Sequence, residues 1–194
     1  MNERRAAGER CFGTGDAAME RYHDEEWGRA VRDDVELFER IALEGFQSGL
    51  SWATVLRKRE NFRAAFAAWD ARAIAAFGDD DVARLMGDAG IIRNRVKIDS
   101  TITNARALVT LWDSSETLAD LVWAHAPAKA RPGRIRSWAD IPTSTEESKA
   151  LAKALKARGF VFVGPVTMYA LMQACGLVNV HLDTCPARSR FGRP

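Results

Sequence analysis

The chain has 194 residues, 47% of them hydrophobic, and 28 Lys plus Arg against 26 Asp plus Glu leave a formal charge of +2. That length suits one domain or two small lobes sharing a core; the apolar content excludes wholesale disorder, and the charge balance neither demands nor forbids a polyanionic partner. No run approaches the ~18 apolar residues of a membrane helix, the charged start Met1-Asn2-Glu3-Arg4-Arg5 leads into no apolar h-region, and three cysteines form no disulfide framework, so a cytoplasmic, reducing setting without a membrane partner is expected.

In chain order, Asp33-Asp34 starts the first helix, whose apolar stripe is Leu37, Phe38, Ile41, Ala42 and Gly45. A second opens near Ser51 and carries Trp52, Val55, Leu56, Phe62 and Phe66. Asp70 caps a short helix over 71–77, and Asp79-Asp80-Asp81 start another through Leu85. Gly87 and Gly90 mark a tight turn before a long helix over 93–112, and a further helix covers 117–125. Residues 126–142, with Pro127, Pro132, Gly133 and Pro142, form the loosest stretch, a connection or exposed excursion. Ser144 with Glu147 fits a capping box for a helix ending at Gly159. Phe160-Val161-Phe162-Val163 is an extended connector, and Pro165 sits at the first turn of a helix to about Cys175. About eight helices and no convincing sheet predict an all-α protein.

Three groups of residues could carry chemistry. Glu44 lies seven residues after Leu37, which at ~3.6 residues per turn leaves their side chains only ~20° apart, and Leu43 and Gly45 flank it. The carboxylate is either exposed near a helix end, or buried and then paired, hydrogen-bonded or facing a pocket. The glycines and aromatics of Gly45-Phe46-Gln47-Ser48-Gly49-Leu50-Ser51-Trp52 permit close backbone approach beside it. Tyr22 and Trp27 add aromatics, although each ring alone reads equally as core.

Second, His181 and Cys185 stand four apart near the C-terminus, and Cys11 and His23 form a looser pair twelve apart. Together they make a Cys2His2 set suited to tetrahedral zinc with every position taken by protein, hence a structural ion. Spacing alone leaves open four unrelated residues, or a Cys11–Cys185 disulfide in an oxidising compartment. Third, Gly90-Ile91-Ile92-Arg93-Asn94-Arg95-Val96-Lys97 joins a glycine turn to a basic helix start, and Arg57-Lys58-Arg59 makes a second cluster. Helix-terminal N–H groups with adjacent cations favour phosphate, while a solvated face is the other reading.

Taken together, these segments resemble the 3-methyladenine DNA glycosylase I family of the helix-hairpin-helix glycosylase superfamily. The resemblance rests on Tyr22-His23-Asp24-Glu25-Glu26-Trp27-Gly28, on the segment from Leu43 to Trp52, and on Lys58-Arg59-Glu60-Asn61-Phe62. It continues through Ala89-Gly90-Ile91-Ile92-Arg93-Asn94-Arg95, Ile141-Pro142-Thr143-Ser144, residues 159–164 and Gln173-Ala174-Cys175-Gly176-Leu177-Val178-Asn179, covering nearly everything from Cys11 to Cys185.

The resemblance implies a helix-hairpin-helix bundle of one glycosylase domain over 1–194, with two helical lobes and a zinc-stapled end formed by 1–30 and 176–194. It implies one structural zinc per chain on Cys11, His23, His181 and Cys185. Glu44 would be the catalytic residue, with Tyr22, Trp52 and Phe12 binding the base. Gln47, Gly49 and Leu50 would probe the stack of double-stranded DNA containing alkylated adenine, and Gly90, Arg93, Arg95 and Lys97 would hold its backbone. A small DNA-scanning enzyme of this kind is expected to be a monomer that hydrolyses the N-glycosidic bond of 3-methyladenine after base flipping.

Two departures stand out. Phe12 directly follows Cys11, where the family usually has one residue between that cysteine and a pocket aromatic, and Asp16-Ala17-Ala18-Met19 replaces Asp-Pro-x-Tyr. Met19 cannot donate a tyrosine's hydrogen bond, and loss of the proline predicts a looser approach loop. No aspartate is marked as activating water, although Asp99 follows the basic turn. The competing reading is a zinc-stapled DNA-binding module without excision, separated by whether free 3-methyladenine is released; a zinc hydrolase fits less well, because four protein ligands leave no open position.

Overall fold

A computed structural model describes residues 10–130 and 133–190. The start Met1–Arg5, Pro132 of the loose stretch and the last residues of the 176–194 end lie outside the described residues. Among the described residues there are ten α-helices, a π-helical turn, three 3-10 turns and no strand, so the protein is all-helical.

The N-terminal part opens with α1 (Ala17–Arg21), continued by a π-helical turn over Tyr22–Glu26. Neither was expected, because five-residue pieces carry too little periodicity to register. Asp33 caps α2 (Asp34–Gln47) through the Glu36 amide at 2.9 Å. The next expected helix breaks at Lys58, where φ −99° and ψ 0° separate α3 (Trp52–Arg57) from α4 (Arg59–Ala65). Asp70 caps α5 (Ala71–Ala75), which stops two residues early, and α6 (Asp79–Gly87) follows. Asn94 caps α7 (Arg95–Asp113), so this helix starts two residues later than its basic run implied. Thr117 caps α8 (Leu118–Trp123).

The capping box of α9 (Glu146–Ala157) uses Thr145 and Ser148 instead of Ser144 and Glu147. Ser148 is fully buried, and the reciprocal bonds Ser148 N to Thr145 Oγ1 (3.3 Å) and Thr145 N to Ser148 Oγ (2.9 Å) satisfy its hydroxyl. Pro165 occupies the first turn of α10 (Pro165–Ala174), and the 160–163 connector before it is in no ladder.

Packing makes α2 the central strut. It contacts α3, α7, α8 and α10, while α5 packs on α7 and α9 on α10. Asp34, the first residue of α2, accepts the Trp112 indole N–H (2.6 Å) and the Leu118 and Ala119 amides (2.9 and 2.8 Å), pinning α8 to this helix. At the other side the chain returns to its beginning: Gly28 N donates to Ala174 O (3.1 Å) and Val31 N to Cys175 O (3.3 Å). Gly176, at φ +75°, permits this, since a Cβ there would lie 2.7 Å from Gly28 O. No described helix is long and apolar enough to cross a membrane.

Candidate active site

Beside the C-terminal half of α2 lies a cavity of about 260 Å³, lined by Phe12, Met19, Tyr22, Trp27, Glu44, Gln47, Trp52, Trp138, Ala170 and Gln173. It is slightly smaller than the ~300–1,000 Å³ of drug-sized ligand sites, and suits one purine. The four residues expected to bind the base, Phe12, Tyr22, Glu44 and Trp52, meet here. Each comes from a different piece of structure. Glu44 and Gln47 are i, i+3 on α2, Trp52 is the first residue of α3, and Ala170 and Gln173 are i, i+3 on α10. The Tyr22 and Trp52 ring centroids are 5.1 Å apart, and Phe12 stands 5.0 Å from Trp27 and 6.3 Å from Tyr22. Trp52 Nε1 is buried and has no hydrogen-bond partner.

Glu44 is only 7% exposed, which removes the reading of a solvated glutamate. Burial pushes its carboxyl up to about 8, and the positive charge of Arg40 one turn earlier only partly opposes this. Arg40 is engaged through Nη2, which donates to Glu26 (3.1 Å) and Glu36 (3.2 Å), while its Nη1 is buried without a hydrogen-bond partner; the guanidinium stands 5.8 Å from the Tyr22 ring centroid. Burial therefore favours the protonated acid over the carboxylate near neutral pH. Forming the carboxylate at pH 7 costs about 1.4 kcal/mol for each unit by which pH lies below the carboxyl's value.

The surface beside the pocket carries the other expected residues. Gly49 takes φ +83° in the exposed turn after α2, and Leu50 is 43% exposed. Gly90 sits in the turn between α6 and α7, its amide held by Asp88 Oδ1 at 2.7 Å, and Arg93 and Arg95 are exposed at the start of α7. Asp99 accepts from Arg95 at 2.9 Å, away from the cavity. The second basic cluster is largely paired with other protein groups. Arg59 pairs with Glu26, Arg57 reaches Asp16 at 3.5 Å, and Lys58 Nζ donates to the carbonyls of Ala89 (2.8 Å) and Gly90 (3.2 Å).

Lys97 is the residue of this group that is misplaced by sequence. It is 8% exposed, and its ammonium donates to Phe46 O (2.8 Å) and Ser48 O (2.6 Å), so it is spent on the end of α2 instead of standing at the surface for phosphate. Counting cations along a helix start cannot show that the third one turns inward.

The chain ends form a metal-like cluster. Ligand atoms of Cys11, His23 and Cys185, all buried, lie within 4.8 Å of one another. Cys185 Sγ is 3.4 Å from His23 Nε2, and the cysteines are not disulfide-bonded, which closes the disulfide reading. His181, fully buried, has its ring centroid 5.3 Å from that of His23. Both imidazoles have Nδ1 engaged: His23 with Asp24 Oδ1 at 2.8 Å, His181 with Asn179 Oδ1 at 3.1 Å. His23 Nε2 faces the cysteines, accepting from the Cys11 amide at 3.3 Å, and His181 lies beside this three-residue group without contributing one of its converging ligand atoms. The π-helical turn couples this cluster to the pocket, because it carries Tyr22 into one and His23 into the other. Phe12 follows Cys11 and stands 4.9 Å, edge to face, from His23.

The approach segment is not loose. Asp16 accepts from the Ala18 and Met19 amides (3.0 and 3.2 Å) and so starts α1 without the proline. Gly13, at φ +91°, makes the turn, where a Cβ would meet Met19 C at 2.9 Å. Met19 lines the cavity where it can pack but not hydrogen-bond as a tyrosine would. Sequence reasoning missed Trp138, which lies in the loose stretch, 6.1 Å from Phe12 and 6.2 Å from Trp27. Asp140 holds its 3-10 turn through the Arg136 and Ser137 amides (2.8 and 2.9 Å). A single tryptophan among Pro and Gly was the only signal.

The chain matches the family model described as methyladenine glycosylase over residues 12–189. DNA-3-methyladenine glycosylase 1 of Escherichia coli (strain K12) is 51% identical over 164 residues, 84% of this chain and 88% of that protein. A crystal structure of 3-methyladenine DNA glycosylase I superposes with a TM-score of 0.88 at 49% identity, covering 92% of this chain and 98% of the other. A tyrosine-to-phenylalanine variant of such an enzyme, solved in complex with 3-methyladenine, gives a TM-score of 0.86 at 31% identity over 93% of this chain and 97% of its own. With one family model spanning most of the chain and a relative at half identity, this protein belongs to the methyladenine glycosylase family.

Proposed function

We propose that this chain, a DNA glycosylase that frees 3-methyladenine from alkylated DNA, selects its base by the charge that methylation confers. N3-methylation makes the adenine ring cationic and a good leaving group. The C1′–N9 bond breaks, its electron pair neutralises the departing ring, and water adds to C1′ and gives up a proton. The harder task is to extrude one nucleotide and know it among a great excess of normal ones. Trp52, Tyr22 and Phe12 supply faces for stacking and cation–π attraction, worth up to ~2 kcal/mol each when desolvated. Glu44 supplies the countercharge and an acceptor for the exocyclic amine. The observation that carries this reading is a buried acid among these rings to which no arginine hydrogen-bonds among the described residues. Chromatography of bases freed from alkylated DNA tests it: 3-methyladenine is the expected product, and duplex binding without release would leave the non-excising module.

Because Glu44 sits at about 8 in the empty pocket, capture of the cation drives its proton off. Departure of the ring as a neutral base removes the countercharge, the acid takes a proton back, and the attraction that held the substrate no longer holds the product. A permanent cation, 3,9-dimethyladeninium, should bind with release of close to one proton at pH 7, read by calorimetry in buffers of different ionisation enthalpy. Its affinity should rise with pH by up to about tenfold per unit and level off above about pH 8. A flat profile with no proton release would remove the charge mechanism. Trp138→Ala should weaken binding of the same probe by about fivefold, the loss of about 1 kcal/mol of ring contact at the pocket mouth.

The Cys2His2 set is assigned to one structural zinc per chain, held by Cys11, His23, His181 and Cys185. Cys11, His23 and Cys185 already converge, His181 stands next to His23, and both imidazoles have Nδ1 engaged, a donor set that suits this ion. When bound, it cross-links the chain ends, and with four protein ligands it offers no position to a reacting water. Gln47, Gly49 and Leu50 are assigned to the gap left in the stack, and Gly90 and Arg93, in the turn between α6 and α7, with Arg95, the first residue of α7, to the DNA backbone. The enzyme is taken to act as a monomer on double-stranded DNA.

A further inference from the structure

We propose that Lys97 is a positioning residue for base opening, joining the helix start that faces the DNA backbone to the loop assigned to the DNA stack; this rests on the roles just given to that loop and turn. The last turn of α2 carries no basic side chain, yet its terminal carbonyls need donors. Within the loop, Ser48 N donates to Gly45 O (3.3 Å) and Leu50 N to Gln47 O (2.6 Å). The carbonyls of Phe46 and Ser48 are taken by one ammonium from α7, 51 and 49 residues away. A cation at this end of α2 is favoured by the helix dipole, whereas the same cation in the first turn of its own helix is disfavoured. Its place in α7 is therefore explained by what its tip reaches.

At its other end, the Lys97 backbone belongs to the turn that carries the exposed arginines. Its amide donates to the Asn94 cap at 3.1 Å, two residues from Arg95. The preceding turn is held in turn, since Lys58 and Asn61 both donate to Gly90 O at 3.2 Å. Force applied at Arg93 and Arg95 on seating a phosphate is thus transmitted through one buried side chain to Ser48, next to Gly49 and Leu50. Gln47, between the two bonded carbonyls, lines the base cavity. The loop after α2 is otherwise exposed with a glycine at positive φ, and its own hydrogen bonds, Ser48 N to Gly45 O and Leu50 N to Gln47 O, are local to the turn, so among the described residues Lys97 is the side chain that ties it to α7.

Lys97→Met keeps the length and removes the donor. Three quantities are read for it and the wild type: affinity for free 3-methyladenine, affinity for undamaged duplex, and single-turnover release of the base from a duplex with 2-aminopurine beside the lesion. Lys97→Met should release base, and show the fluorescence rise of opening, at least about tenfold more slowly, with both affinities within about twofold. Unchanged opening and release would overturn the role, as would a loss of free-base affinity parallel to the loss of release, which marks general damage to the pocket. If Lys97→Met does not fold, Lys97→Gln, which can serve one of the two carbonyls, is read in the same way and should give an intermediate loss. Failure of the wild type itself to release 3-methyladenine would instead sink the functional reading.

Discussion

Glu44→Gln is expected to lower single-turnover excision of 3-methyladenine by more than an order of magnitude while duplex affinity stays within about twofold. The substitution preserves shape and mimics the protonated acid of the empty pocket, so it leaves the ring stacking and the hydrogen-bonding outline in place. What it removes is the ability to become an anion when the cation arrives. A charge-assisted bond is worth about 1.5–3 kcal/mol, or about ten- to a hundredfold in occupancy of the captured, extrahelical state. The attraction is felt before the C1′–N9 bond breaks and weakens as charge leaves the ring, so it favours selection over the chemical step. The deficit should therefore shrink for free neutral adenine, which the variant and the wild type should bind alike. Excision by Glu44→Gln at the wild-type rate would remove the acid from the mechanism.

The same substitution should make the protein more stable at alkaline pH. The folded carboxyl is raised from 4.5 to about 8, so between those values the folded state binds more protons than the unfolded one. Stability then falls as pH rises through that window, by up to a few kcal/mol for a group this buried. Glutamine has nothing to ionise and escapes the loss. Melting curves of Glu44→Gln and wild type should nearly coincide at pH 5 and separate, variant higher, by pH 8. A site that costs its own fold stability is what a pocket built for a charged visitor requires.

How much of this was legible in the sequence varies with the physics involved. Caps and periodicity placed α2, α5, α6, α8 and α10 to within a residue or two, because Asp33, Asp70, Thr117 and Pro165 act locally. The aromatic and acidic residues of the pocket came from a motif that fixes residue types at fixed spacing. Burial of Glu44 did not follow from its place on the helix; it needs α10 and the N-terminal turn packed around it. Trp138 and the inward turn of Lys97 depend on contacts between segments dozens of residues apart, and no local pattern encodes them. The approach segment was misjudged because the loss of proline was weighed without the Asp16 carboxylate, which starts α1 unaided.

Removal of the proposed zinc should have the second large effect, and it should fall on the pocket as well as on the fold. A zinc ion held by Cys11 and Cys185 would join points across nearly the whole chain, and tying such distant points removes several kcal/mol of unfolded-state entropy, about 5 kcal/mol by analogy with a disulfide closing a loop this long. At about 2–4 °C per kcal/mol for a protein of this size, stripping zinc with a strong chelator should lower Tm by on the order of 10–20 °C. His181→Ala and Cys185→Ala should each move Tm in the same direction, and elemental analysis should find one zinc per wild-type chain. Affinity for the cationic base should fall with Tm, because Phe12 and Tyr22 are the immediate neighbours of Cys11 and His23. Binding to undamaged duplex, which we assign to Arg93 and Arg95 at the start of α7, should change little. A chelator-treated protein with unaltered melting and base affinity would show that the thiols and imidazoles at the chain ends only pack against one another.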